Sequence, residues 1–312
     1  MGTVKKERRT ALTYRTVLTC LILLWLIISG AIVLKSVMGP QKSPTQDIGM
    51  FEWDEDTVDH PERVEALAQR LSIGRWYQEL GDDFDAVALE GFVERMHDLD
   101  IRVYALVGSV EWGLEPDGQS LLDWLGKLAA YQRNAGADGK LDGVMLDIEP
   151  YTTRRWKAEP ERYMDIYVNS MRAAYDYLSR ENIRTALCIP RHYDDQGLET
   201  QLEMLIGYAC DEVAVMDYDC GNEVEKLQTE AALALRYGRE IHCILEFQSV
   251  GKHGLTEEKT YRNKGLKAAQ DAWDRVRDAY PDLTVIRDYH WAEPVLEMLE
   301  NENMTEVGAY GK

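Results

Sequence analysis

Cysteine is scarce in this chain and badly placed for a metal. None of its five cysteines forms a CxxC pair or a Cys/His cluster at zinc spacing, so no structural metal is expected. Cys188, Cys210, Cys220 and Cys243 could pair in three ways, a choice that spacing cannot make. Buried free thiols are the expectation for a body of this size. No GxGxxG turn follows the first apolar run, which argues against a dinucleotide-binding sheet. GxSxG and HExxH are missing too, disfavouring esterase and zinc-protease chemistry, and no cofactor is expected. Positive charge is also short. Of 35 Lys/Arg and 55 Asp/Glu, residues 1–40 hold six and one, so the remainder carries 29 against 54, a net charge of −25. Such a surface repels phosphate backbones, and nucleic acid is excluded as a partner.

Long hydrophobic runs are absent except for one. Thr16 to Leu34 contains no charged residue, about the length that crosses a bilayer. The basic cluster before it predicts a cytoplasmic N-terminus at 1–15, a signal anchor over 16–38 and a linker over 39–47, with the rest extracytoplasmic. Ser29 and Ala31 offer a cleavage site, so the alternative is a protein secreted after signal cleavage. The long apolar stretch on both sides of that point favours the uncleaved anchor, and hence the membrane as a partner.

What is present from residue 48 onward is a rhythm. Apolar, β-branched runs alternate with stretches of helical periodicity. Strands are predicted near 48–53, 75–78, 101–107, 141–149, 183–190, 212–218, 240–247 and 283–290. Helices are predicted near 61–72, 85–99, 120–135, 160–180, 198–209, 223–237, 257–280 and 292–301. Tyr163, Ile166, Tyr167, Met171 and Tyr175 illustrate the three- and four-residue repeat. Eight such units predict an α/β fold of the closed parallel (βα)8 type (a TIM barrel) over 48–312, acting as a monomer, with a doubly wound open sheet as the runner-up. In such a barrel, active groups sit where strands end. The strand ends here present Trp53, Glu79, Trp112, Glu149, Arg191, Tyr218, Glu246 and Trp291, a mixture of carboxylates and flat rings that suits carbohydrate.

The fourth strand, Leu141 to Pro150, is the most informative. Side chains alternate along a strand. Val144, Leu146 and Ile148 should face the helices, and Gly143, Met145, Asp147 and Glu149 the barrel axis. Two inward acids two residues apart are costly to desolvate unless used or paired, and their repulsion should keep a proton on one of them. This stretch resembles the DGxDxDxE signature of family-18 glycoside hydrolases, the chitinase and endo-N-acetylglucosaminidase group. Asp142, Gly143, Asp147 and Glu149 match, and Met145 stands where the middle Asp is expected. Met216-Asp217-Tyr218-Asp219 on the sixth strand is similar to that family's MxYD stretch, and Trp291 to its barrel-floor Trp. The resemblance implies Glu149 as general acid/base. Asp147 and Tyr218 would orient a substrate 2-acetamido group that acts as nucleophile, with Asp219 helping to bind the sugar. Trp53, Trp112, Arg191 and Trp291 complete the expected substrate-binding set. Met145 cannot relay charge to Asp147, so a reduced or changed activity is implied.

Two alternatives stay open. Glu246 ends the seventh strand, where two-glutamate retaining glycosidases keep a nucleophile, and carboxyls about 5–5.5 Å apart would mark that route. Against it, Ile148 stands where that clan usually has Asn. A Glu246 held structurally by Arg191 or Arg287 is equally compatible with the sequence. The other alternative is a catalytically silent, surface-anchored glycan-binding barrel, which the degenerate Met145 position motivates.

Overall fold

The computed structural model of the protein describes residues 47–309, with side chains through Asn301. The expected cytoplasmic segment, the transmembrane anchor over 16–38 and nearly all of the linker lie outside the described residues. Among the described residues, no helix is long and apolar enough to cross a membrane.

Eight strands form in the expected places: β1 Ile48–Glu52, β2 Arg75–Glu79, β3 Arg102–Val107, β4 Gly143–Leu146, β5 Arg184–Pro190, β6 Glu212–Met216, β7 Glu240–Glu246 and β8 Val285–His290. They close in sequence order, and β1 pairs with β8 in parallel. A helix or helix pair follows each strand, giving the (βα)8 barrel. Local chemistry sets the helix ends. Asp85 caps helix Ala86–His97 by accepting from Val87 N at 2.8 Å and Ala88 N at 3.1 Å, and Pro61 and Pro160 open their helices at the first turn. Helix Pro160–Arg180 buries Met164, Tyr167, Met171 and Ala174 along one stripe.

Several boundaries differ from the expected ones, three of them near the carboxyl ends of the strands. β4 stops at Leu146 instead of reaching Glu149. The helix expected from Glu257 begins only at Leu266, because Gly265 has φ 87° and residues 247–265 form a loop with further positive φ at Gly251, His253 and Gly254. The helix expected over 223–237 breaks at Leu227 into Glu223–Lys226 and Gln228–Tyr237.

Alternation along the strands separates two apolar layers. Val144, Leu146 and Ile148 join the large core between strands and helices. Met145 belongs instead to the barrel interior, with Phe51, Leu106, Cys188 and Met216. Beneath that layer the barrel is filled by charge. Arg75 Nη1 donates to Glu212 Oε2 at 2.6 Å, and the His242 ring bridges Glu212 Oε2 at 2.7 Å and Asp288 Oδ2 at 2.6 Å. Tyr77 donates to Asp288 Oδ1 at 3.0 Å. All these side chains are buried, so the network tolerates burial only because nearly every lone pair finds a donor. The four cysteines among the described residues are free, with Cys188, Cys210 and Cys243 buried and Cys220 half-buried.

Candidate active site

The carboxyl ends of the strands surround a cavity of ≈ 700 Å³, and Asp147, Glu149, Tyr218, Glu246, Trp53, Arg191 and Trp291 all line it. The chain keeps strand direction beyond β4, since Asp147 N donates to Val107 O at 2.8 Å. Alternation therefore continues, and both acids open into the cavity while Ile148 packs outward. Asp142, the first acid of the motif, lies at the opposite end of β4. Its Oδ2 accepts from Val103 N at 2.8 Å and faces His97 Nε2 at 2.9 Å, a structural tie between strand starts.

Asp147 is the most perturbed acid of the site. Burial, and then the nearby Glu149 charge, push its carboxyl up to about 7, against the pull of His290. Its Oδ1 has no hydrogen-bond partner among the described residues, and neither does the buried Trp291 Nε1. Glu149 Oε1 accepts from the Tyr151 hydroxyl. Tyr218 stands with its ring centroid 5.8 Å from that of His290. Met145 is fully buried directly below Asp147 in the chain's inward series.

Glu246 is held on every side. Oε1 accepts from Phe247 N at 2.8 Å and Gln248 N at 2.7 Å, while Oε2 accepts from Gln248 Nε2 and His290 Nδ1, each at 3.1 Å. Its ion partner is thus His290, and neither Arg191 nor Arg287 pairs with it. Burial works against its charge, but His290 and the backbone donors outweigh burial and hold it below the usual carboxylate range. His290 in turn accepts from Trp53 Nε1 at 3.3 Å through Nε2, the pattern of a neutral ring with its proton on Nδ1. Glu246 and the nearby Asp147 nonetheless raise its proton affinity over the opposing effect of burial. Protonation would cost the Trp53 bond.

Two expected residues are placed elsewhere. Asp219 lies beside the cavity and pairs with Arg191 Nη2 at 2.9 Å. Trp112 sits in the short helix Val110–Leu114, packs on Trp124 with centroids 6.2 Å apart, and lines a neighbouring cavity of ≈ 500 Å³ with Glu79. Residues the sequence reading passed over also line the main cavity: Tyr151, Gln248, His253 and Lys259. Tyr151 continues the period-two series 145, 147, 149 and was within reach of that argument. Lys259 sits in the stretch expected to be helical, and His253 in the loop before it.

No protein-family model matches the chain, and no curated protein does. Solved structures do. A plant class V chitinase mutant from Cycas revoluta, in complex with (GlcNAc)3, is 10% identical, with 79% of this chain and 95% of that chain covered at a TM-score of 0.51. A double mutant of the GH18 chitinase from Cycas revoluta, in complex with (GlcNAc)4, aligns with the same identity, coverage and TM-score, 10%, 79% and 95%, and 0.51. At that identity the likeness is one of fold: the barrel of this chain has the architecture of the GH18 chitinases.

Proposed function

We propose that the protein is a glycoside hydrolase acting on N-acetylhexosamine-containing glycan by substrate-assisted retention. One observation carries the reading: Asp147 and Glu149, two residues apart on one face, open into the same cavity as Tyr218. Burial, and then the Glu149 charge, push the Asp147 carboxyl up to about 7, so Asp147 can hold a proton near neutral pH. In this reading Asp147 passes that proton to Glu149, which delivers it to the glycosidic oxygen as the C–O bond breaks. Asp147 accepts the acetamido N–H and turns the carbonyl oxygen onto the anomeric carbon, and the Tyr218 hydroxyl donates to the same group. Water, deprotonated by Glu149, then opens the cyclic intermediate with configuration retained. Met145 offers Asp147 no charge from below; His290, when its ring is protonated, favours the ionised Asp147 instead. The unpartnered Asp147 Oδ1 and Trp291 Nε1 support a polar ligand, because buried polar atoms left unpaired cost free energy.

The two-glutamate route draws less support. Glu246 is 2% exposed, and both of its oxygens are already engaged by four donors. A nucleophile would have to leave those partners to reach a sugar carbon.

The test is turnover of chitin oligomers, peptidoglycan fragments and N-glycans by the wild type and Glu149→Gln. The variant should fold normally and lose about 10²–10⁴-fold in kcat on whichever glycan is cleaved. Full activity in Glu149→Gln would remove the mechanism, and glycan binding without turnover in the wild type would favour a silent binding barrel. We further propose that residues 16–38 anchor the barrel on the extracytoplasmic side, which protease accessibility of intact cells would check.

A further inference from the structure

The acids and all but one of the bases that line the cavity are segregated; the exception is His290, which joins the acids from the end of β8. Its acids are Asp147, Glu149 and Glu246, all on the floor at the ends of β4 and β7. Its rim carries only bases: Arg191, His192, His253 and Lys259. Beyond residue 40 the chain holds 54 acids against 29 bases, so a rim without a carboxylate runs against composition. The bases also come from one sector, the loops after β5 and β7. The loops after β1, β3 and β4 offer the rim Trp53, Val110, Tyr151 and Thr152, none of them charged.

The acids of the β5 loop are turned to other work. Asp194 Oδ2 accepts from Thr229 at 2.7 Å, and Asp195 pairs with Lys226 at 3.7 Å. Arg191 is partly neutralised by Asp219, but Lys259 makes no ion pair among the described residues. Burial and then Arg191 lower the proton affinity of His192; Asp195 and Asp194 oppose them and Lys259 adds to them to a smaller degree, so the cations prevail at this ring. Lys259 is felt electrostatically by the neighbouring Glu258, but a cation in no close ion pair, at the edge of a carbohydrate-sized cavity, is suited to an anion carried by the ligand.

We infer that the substrate is an anionic glycan in which the sugar bound on the β5–β7 side, next to the N-acetylhexosamine over Asp147 and Glu149, carries a carboxylate recognised by Lys259 and Arg191. This rests on the glycosidase reading for the placement of the scissile bond. A neutral chitin chain has nothing to offer that edge of the cleft.

The experiment uses the full chain and matched pairs of oligosaccharides. One pair is GlcNAc–MurNAc strands freed of stem peptides and their carboxyl-reduced form. The other is GlcNAc–glucuronate oligosaccharides and their carboxyl-reduced form; the two pairs separate a lactyl ether from a uronate. For at least one pair, kcat/KM should favour the carboxylated member by about tenfold, and about 0.5 M salt should erode that ratio. Lys259→Gln should lower the ratio toward unity and Lys259→Glu should invert it, a readout that a fold defect would not mimic because both members share the enzyme. Ratios near unity in both pairs overturn the inference. If neither pair is hydrolysed, the glycosidase reading fails on its own, and equilibrium binding of the same pairs takes over. Tighter, salt-sensitive binding of a carboxylated member, lost in Lys259→Gln, sustains the anion site; equal or undetectable binding of both members overturns it.

Discussion

Gly108 follows β3, and a Cβ built there would stand 1.9 Å from the Asp147 carbonyl oxygen. The backbone that presents Asp147 can lie where it does only because residue 108 has no side chain. Gly108→Ala should therefore displace Asp147 and lower kcat by about 10²-fold, the scale of a misplacement near 1 Å, with a smaller effect on KM. Unchanged kinetics in a folded variant would mean that Asp147's position does not matter to the reaction. Asp147 and Glu149 were legible in the sequence because alternation alone points them inward, and Met145 was legible for the same reason. Trp112 was not. β3 ends at Val107, and the Gly108–Ser109 turn leads into a short helix that carries the ring away from the mouth. Counting past a strand end fails where the chain stops being a strand.

At the scale of elements, the same limit separates strands from loops. All eight strands were readable, most of them from short apolar, β-branched runs; β2, Arg75–Glu79, carries the weakest such signal because its inward positions are partly polar. Residues 257–265 were read as the start of a helix, where the structure has the end of a loop that begins at residue 247. Their polar side chains fit a helical surface, but Gly265 at φ 87° delays the helix to Leu266. Glu246 roots this loop: its carboxylate accepts from the N–H groups of Phe247 and Gln248, and Thr260 donates to its backbone oxygen at 3.2 Å. Across the barrel seam it ties β7 to His290 of β8. Glu246→Gln keeps the shape and removes the charge, so the variant should lose stability, by about 1–3 kcal/mol, the range for a buried charge-assisted hydrogen bond. Chemical denaturation would measure it. No glycosyl adduct should form on Glu246 with a fluorinated substrate analogue, whereas a trapped adduct there would revive the two-glutamate mechanism.

For the whole molecule, the buried charge governs how stability responds to pH, and little of it was visible beforehand. Arg75 and Glu212 are 137 residues apart. Nothing in sequence couples them, although each sits at an inward position of its own strand. Burial pushes Asp217 and Glu230 up to about 8, and Glu52 and Asp147 up to about 7. Each of these acids holds a proton when folded at pH values where the unfolded chain has released it. Their contribution is complete below the unfolded carboxylate range and drains away as pH rises through those folded values. His97, His242 and His290 act in the same direction. Asp142 raises the first, and carboxylates raise the other two despite burial, so their share is present below the ordinary imidazole range and lost above it. Glu212 and Glu246 oppose this at the acid end. Burial works against their charge, yet ion partners and donors hold both below their ordinary value, and their stabilisation disappears only as pH falls through the folded values. The balance puts maximal stability on the acidic side of neutrality, with each excess proton contributing a slope of about 1.4 kcal/mol per pH unit. The Tm should fall between about pH 5.5 and about pH 8.5, and Asp217→Asn or Glu230→Gln should flatten that decline by removing one titration each. A Tm that instead rises toward alkaline pH would mean that these buried acids are ionised and paired in solution.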